Sequence, residues 1–263
     1  MNALAIGRMR VAIELRQFSR DREAAFFTLI LPLLLLVVFG SAFNRNVAPG
    51  VSFAQYFLAG MVASGVVYTG FQNLAIAIPQ ERDDGTLKRL QGTPMPKSAY
   101  FIGKVGLVLA IYVGQVVLLL AIGVGLYDVR LSSSGMDWWT FVWVSVLGLI
   151  ACTLLGIAFS SVPRSGRGAS ALVSPVVLVL QFTSGVFFQW NALPAWMRQL
   201  AALFPLKWLC QGMRSVFLPD SFQSQEITGS WELGRTALVL IAWAVAALLV
   251  ALWGFRWQRR GDT

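Results

Sequence analysis

Histidine is absent from this chain of 263 residues, cysteine occurs only twice, and Asp and Glu together number 12. Each scarcity closes off a kind of chemistry. With no His, no CxxC pair and no carboxylate cluster, a zinc or haem site lacks its usual ligands. Cys152 and Cys210 fall at very different depths in the topology below, so no disulfide is expected between them. Charged residues make up 13% of the chain, where a soluble domain carries about 25%. The net charge of +9 suggests nucleic acid at first, but the basic residues sit within a few positions of the ends of apolar runs, where anionic lipid headgroups lie. They read as topology anchors, and no nucleic-acid motif accompanies them.

What the chain has in place of charge is length of apolar sequence. Six stretches run about 20 or more residues without Asp, Glu, Lys or Arg: 24–43, 54–79, 105–127, 138–162, 169–189 and 236–255. At ~1.5 Å rise per residue, ~20 apolar residues cross a ~30 Å hydrocarbon core with every backbone hydrogen bond made internally. The expected fold is an all-α membrane protein with six transmembrane helices in one domain over residues 1–263. The first run follows 23 largely polar and charged positions and ends without a small-residue cleavage pattern, so a removable signal peptide is not expected.

Orientation follows from the 21 basic residues. Arg8, Arg10, Arg16, Arg20 and Arg22 precede the first span; Arg82, Lys88, Arg89, Lys97 and Lys104 follow the second; Arg164 and Arg167 follow the fourth; Arg256, Arg259 and Arg260 follow the sixth. That places 15 on one side and leaves 6 (Arg45, Arg130, Arg198, Lys207, Arg214 and Arg235) for the other. By the positive-inside rule both termini are expected in the cytoplasm of a bacterial plasma membrane.

Within the spans the polar groups are neutral: Gln72, Asn73, Gln115, Thr153, Ser174, Gln181 and Thr183. Proton pumps and ion-coupled transporters carry ionisable side chains at such depths, so ion-gradient coupling is disfavoured. Interhelical hydrogen bonding accounts for each neutral group taken alone. Gly60, Gly65 and Gly70, with Ala59, Ala63 and Ser64, let span two approach another helix closely, either within the subunit or across a dimer.

The most distinctive polar segment is Gln80 to Pro96 between spans two and three. Thr86 to Gln91 suits a short helix, with Leu87 and Leu90 on one side and Lys88 and Arg89 on the other. Gly85 provides the bend before it, and Thr93-Pro94 ends it. The run Glu81-Arg82-Asp83-Asp84-Gly85-Thr86-Leu87, followed by Leu90 and Thr93-Pro94, closely resembles the signature of type-2 ABC exporter membrane subunits, and within them the daunorubicin-resistance permease type. The resemblance implies that this loop is a coupling helix seated in a cytoplasmic ATPase, with Glu81, Arg82, Gly85, Thr86, Leu87 and Leu90 as its coupling residues.

Two further segments extend the resemblance over the whole chain. Leu4, Val11, Leu15 and Phe18 form one stripe of an N-terminal amphipathic helix within 1–23, while Ile6, Met9 and Ile13 interrupt the opposite side. The helix is read as interfacial, with burial against the ATPase as the alternative. Residues 190–218 contain pieces of ~10 residues between prolines, too short to span and rich in Trp, and resemble the re-entrant hairpin before the last span; Pro194, Trp196 and Pro205 mark it. Phe204 replaces the usual polar residue before Pro205. Arg198, Lys207 and Arg214 are candidates to attract anionic headgroups.

Gly92 to Ser98 faintly resembles a P-loop, but it lacks a Gly before Lys97, contains two prolines and follows no buried strand. No catalytic or metal site is therefore expected in this chain, and ATP and Mg are expected on a partner. The resemblance implies two copies of an ABC ATPase subunit and a second permease, identical or homologous. The expected function is ATP-driven export of a hydrophobic or amphiphilic drug, lipid or glycolipid. Tyr68, Gln72 and Asn73 of span two and Gln181, Phe182 and Phe187 of span five are the candidate path. Polysaccharide or lipid-linked glycan export is the alternative, and a passive channel or scaffold without an ATPase is the alternative of another class.

Overall fold

Short polar side chains start several of the helices where the apolar runs begin, and a computed structural model shows how they pack. It describes residues 3–255 apart from Asn44 and Arg164, with side chains from Ala5 onward. Leu4 of the predicted stripe and the basic residues Arg164, Arg256, Arg259 and Arg260 thus lie outside the described residues or side chains. Helix α1 is Ala3–Arg20 and α2, with a π-helical turn at Phe26–Ile30, is Arg22–Ala42. A small β1–β2 hairpin (Asn46–Ala48, Val51–Ser52) leads to α3, Phe53–Asp83, which has its own π-helical turn at Val67–Gln72. The short α4 is Thr86–Gln91, α5 is Lys97–Tyr127, α6 is Gly135–Phe159 and α7 is Gly166–Thr183. Two short helices, α8 (Ala195–Ala201) and α9 (Pro205–Phe217), precede α10, Leu233–Gly254.

Caps set several of these starts. Asp21, Ser52, Ser134 and Ser165 each accept a backbone N–H two or three residues on, at 2.9, 3.2, 3.2 and 3.1 Å, opening α2, α3, α6 and α7. Gly85 precedes α4 with φ +77°, a backbone that a side chain would strain.

Among the described residues six helices are long and apolar enough to cross a membrane: α2, α3, α5, α6, α7 and α10. The predicted spans fall on them with one adjustment. Span five was expected over 169–189, but its helix ends at Thr183, and a turn through Gly185 at φ +82° carries the chain away. Phe187 therefore stands in the loop after the span.

Helix α3 is the centre, packed against α2, α5, α6, α7 and α9. From Phe53 to Val67 every residue but Gln55 is buried. In lipid, no hydrophobic gain drives one helix onto another; close van der Waals packing does, and small residues permit it. Gly60 meets Val186, Gly65 meets the Gln115 amide and Gly70 meets Cys152 and Thr153, so all three glycines serve packing within the subunit. The outer faces of α2, α5 and α10 expose Leu34, Val38, Val113, Val117, Leu238, Val245 and Leu252, the surface that acyl chains would cover.

Candidate functional site

At one end of the bundle the α3–α4 segment ties itself to three helices through three consecutive charged residues, and through one of those helices to a fourth. The Tyr100 hydroxyl on α5 donates to Glu81 Oε2 at 2.7 Å, and Lys104 Nζ on the same helix pairs with Glu81 Oε1. Lys104 also pairs with Glu14 of α1 at 2.8 Å, and Glu14 with Arg10 at 2.7 Å. Arg82 Nη1 donates to the carbonyl of Ser160, at the end of α6, at 3.0 Å. Asp83 Oδ2 accepts the backbone N–H of Gly166, at the start of α7, at 2.6 Å.

Arg10, Glu14, Lys104 and Glu81 alternate in sign and sum to zero. Glu14 and Lys104 are buried to 3% and 1% exposure, so each charge depends on its neighbours for stabilisation. Three glycines bring α1 this close to α5. A Cβ on Gly103 would lie 2.4 Å from Arg10 Cγ, one on Gly106 2.3 Å from Val11 Cγ2, and one on Gly7 2.6 Å from Ile102. The apolar stripe of Val11, Leu15 and Phe18 is half-buried beside this contact, while Met9 and Ile13 are exposed. Within the chain, then, α1 docks on α5 through its charged and glycine face, a surface that hydrophobic periodicity alone does not register. Its signal was the Arg10/Glu14 pair at i, i+4.

Of the expected coupling residues, Glu81 and Arg82 point into these ties and Leu87 is fully buried in the main core. Leu90 packs at the core's edge, and Gly85 and Thr86 form the half-buried entry to α4, where Asp84 Oδ1 accepts the Thr86 N–H at 2.8 Å. Lys88, Arg89 and Gln91 are exposed. The segment is thus a short helix with a buried apolar side, an outward basic side and a charged root.

Of the expected path residues, the structure brings Tyr68 of α3 to Gln181 of α7 and Phe187 to Phe182. Tyr68 faces Gln181, and Gln72 lies one turn from Tyr68 within the π-helical turn. Phe187 stacks on Phe182 with ring centroids 4.8 Å apart and also meets Phe57 and Phe39, joining α7 to α3 and α2. Asn73 is half-buried on the following turn.

At the opposite end α8 and α9 form the short helical pair predicted for 190–218. Pro194 precedes α8 and Pro205 opens α9 with the φ that a first turn needs. Trp196 and Leu200 on α8 and Leu203 just after it are exposed, whereas every residue of α9 is buried. Lys207 and Arg214 do not face outward toward headgroups, as the sequence had suggested. Arg214 Nε bonds Glu226 Oε1 at 2.7 Å and its guanidinium lies over the Tyr56 ring; Lys207 contacts Gln211, Glu232 at 3.8 Å and the Trp208 ring at 3.5 Å. Burial lowers the Lys207 ammonium to about 8, with Glu232 opposing the shift. Tyr56 fastens the hairpin to α3: its hydroxyl donates to the Gly185 carbonyl at 3.0 Å and accepts the Trp190 N–H at 3.3 Å.

The sequence profile of the ABC-2 type transporter family matches residues 10–218, which run from the buried Arg10 to just past α9. Three curated relatives share this chain at low identity. YvfS of Bacillus subtilis is 21% identical over 73% of this chain and 77% of its own length; ycf38 of Porphyra purpurea is 24% identical over 85% and 79%. YadH of Escherichia coli K12, an inner membrane transport permease, is 23% identical over 73% and 75%, and all three names contain the words transport permease.

Proposed function

Since the chain belongs to the ABC-2 type transporter family, we propose that it is the membrane subunit of an ATP-driven exporter of a hydrophobic or amphiphilic molecule, with hydrolysis supplied by a separate ABC ATPase. On this reading the end bearing Glu81 and α4 is cytoplasmic, the hairpin of α8 and α9 faces outside, and two ATPase copies act on two permeases.

The observation that carries the proposal is the root of α4. Glu81, Arg82 and Asp83 reach α5, α6 and α7 respectively, and Lys104 continues the chain of charges to α1. A push on the exposed Lys88 and Arg89 side of α4 reaches all four helices through short polar contacts. Span five supports a path on its open side: α7 exposes Ala171, Ser174 and Pro175 among Leu178, Val179 and Phe182, a face less apolar than those of α2 and α10. A second permease across a substrate path suits that surface better than acyl chains do.

The test is co-purification from native membranes. The tagged chain should elute with a nucleotide-binding protein, and Lys88→Glu with Arg89→Glu should lose it while α4's buried side holds the fold. Elution of the wild type with no nucleotide-binding protein would favour a passive channel or scaffold.

A further inference from the structure

Helix α3 is continuous, yet its two halves have different neighbours. The outer half, Phe53–Val66, packs chiefly on α9, α5 and α2. Gln55 Nε2 donates to the Phe217 carbonyl at 2.6 Å and Tyr56 to that of Gly185, so this half is fastened to the hairpin and to the loop before it. The inner half, Asn73–Asp83, packs chiefly on α7 and α6 and ends in Glu81, Arg82 and Asp83, the root of α4. Between the halves stands the π-helical turn Val67–Gln72, where the backbone N–H of Asn73 donates to the Tyr68 carbonyl, five residues back.

A π-helical turn closes larger rings than an α-helix, so the ladder holds one residue more than a regular helix of the same length; such turns are rare and frequent at functional sites. Its surroundings suit movement. The turn lies against α6 backbone to backbone: a Cβ on Gly156 would come within 2.7 Å of the Gly70 carbonyl oxygen, and one on Gly70 within 2.9 Å of Cys152 Cβ. Between Gly70 and Gly156 no side chains interlock to resist turning. The Thr69 hydroxyl donates to the Gly65 carbonyl at 2.8 Å and keeps it bonded whatever the register of the backbone ladder. Pro79, in the inner half, is a different device: its missing N–H cannot be restored, whereas a slipped ladder can return to register.

We propose that the π-helical turn at Val67–Gln72 is a joint: a push on α4 turns the inner half of α3 about it while the outer half stays with the hairpin. The joint rests on the export reading above for its driving force and says where in the permease that motion is taken up.

Two native thiols report on it. Cys152 sits against Gly70 in the turn and Cys210 lies on α9, and both are buried. In the ATPase-bound permease in nanodiscs, MgATP should raise the rate of N-ethylmaleimide modification of Cys152 by about fivefold or more, the lower end of a coupling between two sites, and leave Cys210 unchanged, as read by peptide mass spectrometry. No change at Cys152, or an equal rise at both thiols, overturns the joint. Deletion of Val67 takes out the surplus residue and should restore a regular helix with both halves in place. Deletion of Ala63, from the regular half, should turn all that follows by about 100° and break the ties at Glu81, Arg82 and Asp83. The Val67 deletion should therefore melt with the wild type and lose the MgATP response at Cys152, while the Ala63 deletion exposes both thiols. A Val67 deletion that unfolds like the Ala63 deletion, or that keeps the MgATP response, also overturns the joint. The comparison of deletions needs no ATPase: a wild type that elutes without one sinks the export reading, and the deletions still decide the turn.

Discussion

Lys104 shows what one residue does when the fold removes it from water. In the sequence it is one of five basic residues after span two and reads as a topology anchor; in the structure it is buried between Glu14 and Glu81, 90 and 23 residues away. Burying an ion pair is a near balance of desolvation against attraction, but removing one partner strands the others. Lys104→Met leaves the buried Glu14 and the half-buried Glu81 with Arg10 as the one cation of the cluster, and a loss of about 3–5 kcal/mol is expected. Cys152 and Cys210 are both buried thiols, so the rate at which a thiol-reactive dye labels them during heating reports the change directly. A melting temperature equal to wild type would mean the cluster contributes nothing to the fold. Arg214 and Lys207 repeat the lesson at the other end, where Glu226 and Glu232 keep them inside.

Among the elements, α3 and α7 are joined by a contact that neither declares alone. Asp83 holds the first turn of α7 at Gly166, and Gly166 itself sits against Gln80, where a Cβ would come within 2.7 Å of the Gln80 Cα. Asp83→Ala removes a charge-assisted hydrogen bond to a helix start, for which about 1–2 kcal/mol is expected. Hydrogen exchange should quicken at residues 166–170 by roughly tenfold while α10 is unchanged. Equal protection in the variant would show that other contacts hold that turn. The existence and order of the helices were legible beforehand, because a run such as Leu233–Gly254 needs only its own composition to be stable in a bilayer. The early end of α7 was not: Ser184 to Gln189 is apolar enough to continue, and the turn there is held by Tyr56, a residue 129 positions from Gly185.

For the whole molecule, the proposed orientation puts α4 and α8 on opposite sides of the membrane. Single cysteines introduced at Arg89 and Trp196, both exposed, can be read against a silent background once the buried Cys152 and Cys210 are confirmed unreactive. A membrane-impermeant maleimide should label Trp196→Cys in intact spheroplasts and Arg89→Cys only in inverted vesicles. Labelling of both from one side would overturn the topology.

The amino-acid sequence by itself determined that six segments are long and apolar enough to span, that α4 follows the second of them and that a short helical pair precedes the last. These depend on hydrophobic length, glycine and proline positions, all properties of contiguous residues. Only the tertiary structure decided that Glu81 bonds inward, that α1 meets α5 through Arg10 and Glu14, and that Tyr68 meets Gln181. The physical reason is range. Crossing a bilayer is settled segment by segment, whereas the partner of a buried charge or amide is whichever distant helix the packing of small residues brings within ~3 Å.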